Sequence, residues 1–185
     1  MKLLDAVNLT LPKLGERPVT SLLIKHDTLA VLLPVIEQNL RKTLMRGWWF
    51  NEYATTLYPD VGGEIAVGQD TIEFIPDRSD TAVQRGTRLF NPVTLAYTFT
   101  EPVKGRVLQY VQFDDLPEAA AVFVFYESLV EAFATDMGVQ QELGLWQSRA
   151  AQGWSDLVEA HLKHKKYNTR RSTAWRKYTA ALRSY

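Results

Sequence analysis

The spacing of apolar residues changes twice along this chain, and that change limits the folds open to it. Up to Gly47 they recur three and four apart. Between Trp48 and Phe113 they alternate, and after Asp115 they recur three and four apart again. A helix brings a side chain back to one face every 3.6 residues and a strand every second residue, so no stretch satisfies both periods. The expected order is two helices, a run of short strands, then two more helices.

The first helix carries Leu3, Leu4, Val7, Leu11 and Leu14 on one face, with Gly15 as its end, Pro18 in the next loop and a kink expected at Pro12. The second is predicted from Asp27, as N-cap, to Arg46, with Leu29, Leu33, Ile36, Leu40 and Leu44 as its stripe and Gly47 as its stop. Pro34 either kinks it or marks where the regular helix begins. In the middle region Ile72 and Phe74 point inward from "TIEFIPD". Leu95, Tyr97 and Phe99 share a face of "LAYTFTEP", and Val107 and Val111 lie in "RVLQYVQF". Turn signals at Gly62-Gly63, Pro76-Asp77, Asn91-Pro92 and Glu101-Pro102 divide these into four to six short, mostly antiparallel strands.

The third helix is predicted to open with a capping box, Asp115 at the N-cap and Glu118 three residues on, with Pro117 in the first turn and Gly138 at the end. It is apolar on most sides and should be central. The fourth runs from about Val139 to His164 with Leu143, Trp146, Ala150, Leu157 and His161 in period, antiparallel to the third because the loop between them is tight. The class is α+β: an antiparallel bundle of about four helices from residues 1–47 and 116–164, an inserted mostly antiparallel β-module over 48–115, and a C-terminal arm, 165–185.

Composition bears on function mainly by exclusion. A chain of 185 residues that is 46% hydrophobic and 11% aromatic has ample material for a core. It has no cysteine, which excludes disulfides and thiol chemistry and points to a cytosolic fold. No apolar run approaches the roughly 18 residues that span a bilayer. Asp5 and Asn8 interrupt any signal-peptide core. Nucleotide-binding glycine motifs, nucleophile elbows and H-E-x-x-H are missing, and "GGEIAVGQD" reads as a hairpin loop. Asp114-Asp115 suits a helix N-terminus better than half of a hydrolase dyad, and Asp60 after Pro59 is turn chemistry. His161 and His164 stand three apart like a metal pair, but lysines flank them and no third ligand is near, so a solvated basic face is expected. No catalytic, cofactor or metal residue is assigned. Trp48, Trp49 and Phe50 in "RGWWFN" are expected to wedge the junction between helix and strand regions, although rings of this kind also stack bases or sugars.

Charge is unevenly placed. The chain holds 21 basic and 21 acidic residues, yet residues 161 to 185 carry eight Lys or Arg and no Asp or Glu. The remainder is left with 13 basic against 21 acidic residues, so the body repels nucleic acid while the arm attracts it. In the arm Ser172 can cap a short helix whose stripe is Trp175, Tyr178, Leu182 and Tyr185, with Arg176, Lys177 and Arg183 off the stripe. A helix this short is not stable alone in water and should order on a surface that takes its aromatic face.

Five stretches in order, "LLDAVNLTLPKLGERPV", "LRKTLMRGWWFN", "LYPDVGGEIAV", "RLFNP" and "FDDLPEAA", resemble the tail tubular protein A family, the head-to-tail adaptors of short-tailed phages. The matching positions are Gly15, Glu16, Pro18 and Val19; Arg46, Gly47, Trp48, Phe50 and Asn51; Leu57, Pro59 and Asp60; and Leu116, Pro117 and Glu118. The resemblance covers roughly residues 3 to 160, and Pro12, Pro34 and the basic arm depart from it. It implies a structural virion protein made in the host cytoplasm and no enzyme. The ring, typically of twelve copies, would lie beneath the portal protein, continue the channel for genomic DNA and receive the tail nozzle, tail tubular protein B, without membrane contact. In that setting Trp175, Tyr178, Leu182, Tyr185, Arg170, Arg171 and Arg176 become portal-docking candidates, since aromatics and Arg dominate interface energies. The alternative is a DNA-binding protein acting through the basic arm.

Overall fold

A computed structural model describes residues 1–78, 81–134 and 140–165 of the chain. Helix α1, Leu3–Thr10, passes into a 3-10 turn, Leu11–Leu14, closed by Gly15 at φ 78°. Pro12 therefore does not kink a continuous helix. It sits at the start of the tighter turn, where its missing N–H needs no partner. Ala6, Val7 and Leu11 are buried. The Asn8 side chain ties down the loop that follows, donating to the Val19 carbonyl at 2.8 Å and accepting from the Val19 N–H at 2.7 Å.

Helix α2 spans Asp27–Leu44. His26, in extended backbone at φ −149°, holds the N-cap position assigned above to Asp27, whose carboxylate instead lies in the first turn near the positive helix end. Pro34 lies well inside the helix on an exposed position, so it does not mark the start. The buried face is Leu29, Leu32, Ile36, Leu40 and Leu44, with Leu33 only half-buried.

The chain then forms β1 (Glu52–Leu57), β2 (Thr71–Pro76), β3 (Val83–Arg85), β4 (Arg88–Phe90) and β5 (Val103–Gln109). One sheet has the order β1-β5-β2, and β3 and β4 make a hairpin; all these pairs are antiparallel. Phe74 is buried as expected and Ile72 half-buried, because the β2 register shifts between Thr71 and Glu73. The stretch "LAYTFTEP" forms no strand. It touches its neighbours through single bridges, Asn91 to Ala96 and Glu64 to Thr98, and Leu95 turns outward at φ 54° with 77% of its surface exposed. The left-handed residue breaks the alternation that a strand would need. Val107 is buried in β5, while Val111 lies beyond the strand and half-buried.

A 3-10 turn, Phe113–Asp115, leads into α3, Glu118–Phe133. The expected capping box does not form. Leu116 and Pro117 are both extended, so Pro117 takes the N-cap position without a side-chain cap and Asp115 is left behind in the turn. The acidic side chains here serve α1: Asp114 accepts the Leu3 N–H at 2.8 Å, and Glu118 accepts from the Met1 amino group. Helix α4 spans Gln140–His164; Gly138 and Val139 lie outside the described residues.

Phe133 meets Trp146 with centroids 6.1 Å apart and Phe123 meets Trp154 at 5.1 Å, so α3 and α4 run antiparallel. Their approach is set by Gly153, where an added Cβ would stand 2.8 Å from the Phe123 nitrogen. Helix α2 joins α3 through a buried polar link: Asn39 donates to Ser128 Oγ at 3.2 Å and to Glu131 Oε2 at 3.0 Å. Buried apolar residues fall into two clusters. One gathers the four helices with Trp48, Phe113 and Leu116; the other gathers Ile65, Val67, Phe74, Leu89, Phe99, Val103 and Val107 of the β region.

Candidate functional site

The sharpest concentration of specific contacts lies where α2 passes into β1. Gly47, at φ 71°, reverses the chain after α2, a conformation that a side chain would strain. Trp48 follows, 5% exposed, its indole N–H donating to the Thr43 carbonyl at 2.7 Å. Asn51, 1% exposed, locks the passage. Its Oδ1 accepts the Trp48 N–H at 2.8 Å, and its Nδ2 donates to the Leu44 carbonyl at 2.9 Å and the Gln109 carbonyl at 3.1 Å. One amide thus satisfies the end of a helix, the turn and the neighbouring strand, as a buried polar group must.

The last turns of α4 close over this passage. Trp48 stands edge-on to Trp154, centroids 5.5 Å apart, and to His161 at 5.2 Å. Trp49 packs edge-on to Phe50 at 5.0 Å and stacks flat on His164 at 4.8 Å, with 5° between the planes. The Arg46 guanidinium lies 4.6 Å from the Trp154 ring centre. Below them Glu52, its side chain 10% exposed, accepts from Arg106 at 2.7 Å and from Lys165 at 2.8 Å. Burial pushes the Glu52 carboxyl up, but the hydrogen bonds and charges of Lys165 and Arg106 outweigh it and leave it below its ordinary value. His161 is held below the ordinary imidazole value, by burial first and by the Lys165 charge second, with Glu52 opposing. Its Nδ1 is buried without a partner.

His161 is half-buried and departs from the solvated basic face expected of it, whereas His164 is exposed, as expected, along with Lys163 and Lys165. Each imidazole is committed to a tryptophan ring from a segment more than 110 residues earlier, which no local reading of "HLKHK" reveals. Among the described residues no group of three or more His, Asp or Glu could hold a metal ion. Trp48, Trp49 and Phe50 do meet here. Nothing local in the sequence marks Glu52, Arg106, Trp154 and Lys165 as partners here, and Asn51, a matching position of the resemblance, gains its role as the lock of the passage only from the structure. The arm residues Arg170, Arg171, Trp175, Arg176, Tyr178, Leu182 and Tyr185 lie outside the described residues.

Asp60 and Asp114 are each held in separate local structure. Asp60 Oδ1 accepts the Gly62 and Glu64 N–H groups at 2.8 and 2.9 Å within its own turn, and Asp114 is at the start of α1. An open hollow of about 620 Å³ beside the β-sheet is lined by Asp77, Phe99, Glu101, Val103 and Lys104, with no nucleophile and base paired among its lining residues. Among the described residues no helix is long and apolar enough to cross a membrane.

These contacts tie the end of α2 and the last turns of α4 to β1 and β5. Known proteins share the chain that builds them. Tail tubular protein A of Klebsiella phage KP34 is 27% identical over 170 residues, which is 91% of each chain. A model of the tail tubular protein family matches residues 4–167, which takes in both bundle and β region, the Trp48–Asn51 passage and the last turns of α4. The chain therefore belongs to the tail tubular protein family of phage tail components.

Proposed function

We propose that this tail protein is a head-to-tail adaptor. Copies of it, twelve by the family resemblance, form a ring beneath the portal protein, extend the channel for genomic DNA and receive the tail nozzle. The helical residues 1–47 and 116–164 are the body of each subunit and 48–115 its β-rich insertion, a division supported by the two separate hydrophobic clusters. The role is structural and needs no catalytic group.

The observation that carries this reading is the partition between body and arm. The family match ends at residue 167, just past the junction that clamps α4. Beyond it the sequence changes to a basic segment and an aromatic stripe, suited to docking on a portal groove through Trp175, Tyr178 and Leu182. The acidic remainder suits a lumen through which DNA slides without sticking.

The test is reconstitution. The protein and its portal are mixed and ring complexes counted by electron microscopy, with the parent chain and with Trp175→Ala/Tyr178→Ala/Leu182→Ala. Loss of complexes with the triple variant is expected, and equal binding would sink the docking role. Retardation of DNA at about 50 mM salt that is lost by about 200 mM, with unimpaired portal binding by the triple variant, would favour the DNA-binding reading instead.

A further inference from the structure

We infer that adjacent copies of this chain join through the tip of the β region, the turn at Val93 and Leu95 of one copy seating in the hollow between α1 and α2 of the next. The inference rests on the ring reading above and names the surfaces that build the ring.

The tip lies at the end of the sheet away from the bundle. There Leu57 of β1 pairs with Val103 of β5, beside the open hollow lined by Val93, Phe99 and Val103. Val93 is 76% exposed and Leu95 77%. The turn that carries them is tied down. Asn91 Oδ1 accepts the Val93 and Thr94 N–H groups at 2.9 and 3.2 Å, and the Asn91 N–H donates to the Ala96 carbonyl at 2.8 Å. Leu95 sits at φ 54°, a left-handed conformation that is costly for a leucine. Strain of this kind gathers at functional sites, and here it holds a large apolar side chain out in solvent.

The receiving hollow measures about 420 Å³ and is lined by Leu3, Leu22, Leu33 and Phe113 among others. Leu23, 95% exposed, stands on its lining, with Ile24 beside it at 42%. Exposed apolar groups gathered around a hollow mark a protein-binding surface.

Charge and geometry select a second copy as the occupant. Residues 1–47, which supply both helices of the hollow, hold seven basic and four acidic residues. Residues 48–115, which carry the tip, hold five basic and ten acidic. Segments of opposite net charge attract and set the partner. Within one subunit the two surfaces are kept apart. Phe113 places the hollow past one end of β5 and the tip lies at the other, seven residues or about 20 Å away. Contact between unlike patches of identical chains is head-to-tail, and such contacts close into rings where the rotation allows.

The protein has no cysteine, so paired substitutions report the contact. Full-length Leu95→Cys is mixed with tagged Leu23→Cys, or with tagged Leu162→Cys at the end of α4 as control, and mildly oxidised with and without portal. Mixed disulfide dimers are expected for 95/23 and not for 95/162. Equal yields from both pairs, or no 95/23 dimers while the parent chain forms rings, would overturn the inference and leave the ring reading standing. A parent chain that stays monomeric with and without portal would overturn both. Portal that shields position 95 of Leu95→Cys from a maleimide, without 95/23 dimers, would assign the tip to the portal instead. As a second measurement, Leu95→Gly removes the side chain and the left-handed cost together. Its urea midpoint should hold or rise, while ring assembly should need roughly tenfold more protein, the scale of losing one buried leucine; unchanged assembly would also overturn the inference.

Discussion

Asn51→Asp changes one heavy atom of the junction and removes the donor of two hydrogen bonds. The asparagine Nδ2 donates to the Leu44 and Gln109 carbonyls at 2.9 and 3.1 Å. In the variant a carboxylate oxygen faces both carbonyls in a site that is 1% exposed. The bond from the Trp48 N–H survives, since Oδ1 still accepts it. The Leu44 carbonyl keeps the Gly47 N–H at 3.2 Å, but the Gln109 carbonyl loses this donor at a cost of about 1–3 kcal/mol, and a buried charge among acceptors adds to that. The expected loss is therefore about 3–5 kcal/mol, a large part of the 5–15 kcal/mol typical of a domain. At roughly 2–4 °C per kcal/mol for a chain of this size, the thermal midpoint should fall by about 10 °C. Urea unfolding at pH 7.5, followed by tryptophan fluorescence, measures the change directly. The new carboxyl is held above its unfolded value, so the destabilisation is full above its folded pKa. It should shrink as pH falls toward the unfolded value of about 3.9. A loss below about 1 kcal/mol, the scale of an ordinary surface change, would refute the claim that Asn51 holds helix, turn and strand together.

Gly153→Ala should destabilise by about 1–3 kcal/mol, the usual cost of overpacking, because the new methyl meets the Phe123 backbone at 2.8 Å; calorimetry of the parent and variant compares them. His161 titrates below its ordinary value, so its contribution is whole above the unfolded pKa of about 6.5 and is lost as pH falls through the lower folded value. Stability should thus decline from about pH 7 toward pH 5, and His161→Phe, which keeps an edge-on ring against Trp48, should flatten that slope; an identical slope would exclude this histidine as the source. Burial pushes the Tyr110 hydroxyl up to about 12, helped by its bond to Glu37 at 2.7 Å. Its contribution is whole below pH 10 and is lost as pH rises toward 12, so Tyr110→Phe should resist alkali better than the parent in denaturant titrations at pH 9 and 11.

Much of the architecture was readable because hydrophobic period is a local property. The stripes of α2 and α4 and the alternation of β2 and β5 each lie within a few turns or residues. Errors arose where a local pattern had two physical uses. "LAYTFTEP" alternates like a strand, yet Leu95 turns outward at φ 54° and no ladder forms. Asp115 and Glu118 have capping-box spacing, yet two extended residues intervene. Composition and order of motifs sufficed for the family, which the match over residues 4–167 establishes.

By itself, the sequence determined the helix–strand–helix order, the separation of a basic arm from an acidic remainder, and the turn chemistry at Gly15, Gly47 and Asp60. Each depends on spacing, charge count or backbone freedom, which a chain carries before it folds. Tertiary structure decided the partners. Asp114 serves a helix that begins 111 residues earlier, and Lys165 answers a glutamate 113 residues away. His161 and His164 pack against tryptophans that lie more than 110 residues earlier in the chain. A side chain's chemistry is intrinsic, but its role is set by what burial places against it, and for a junction those neighbours come from distant parts of the chain.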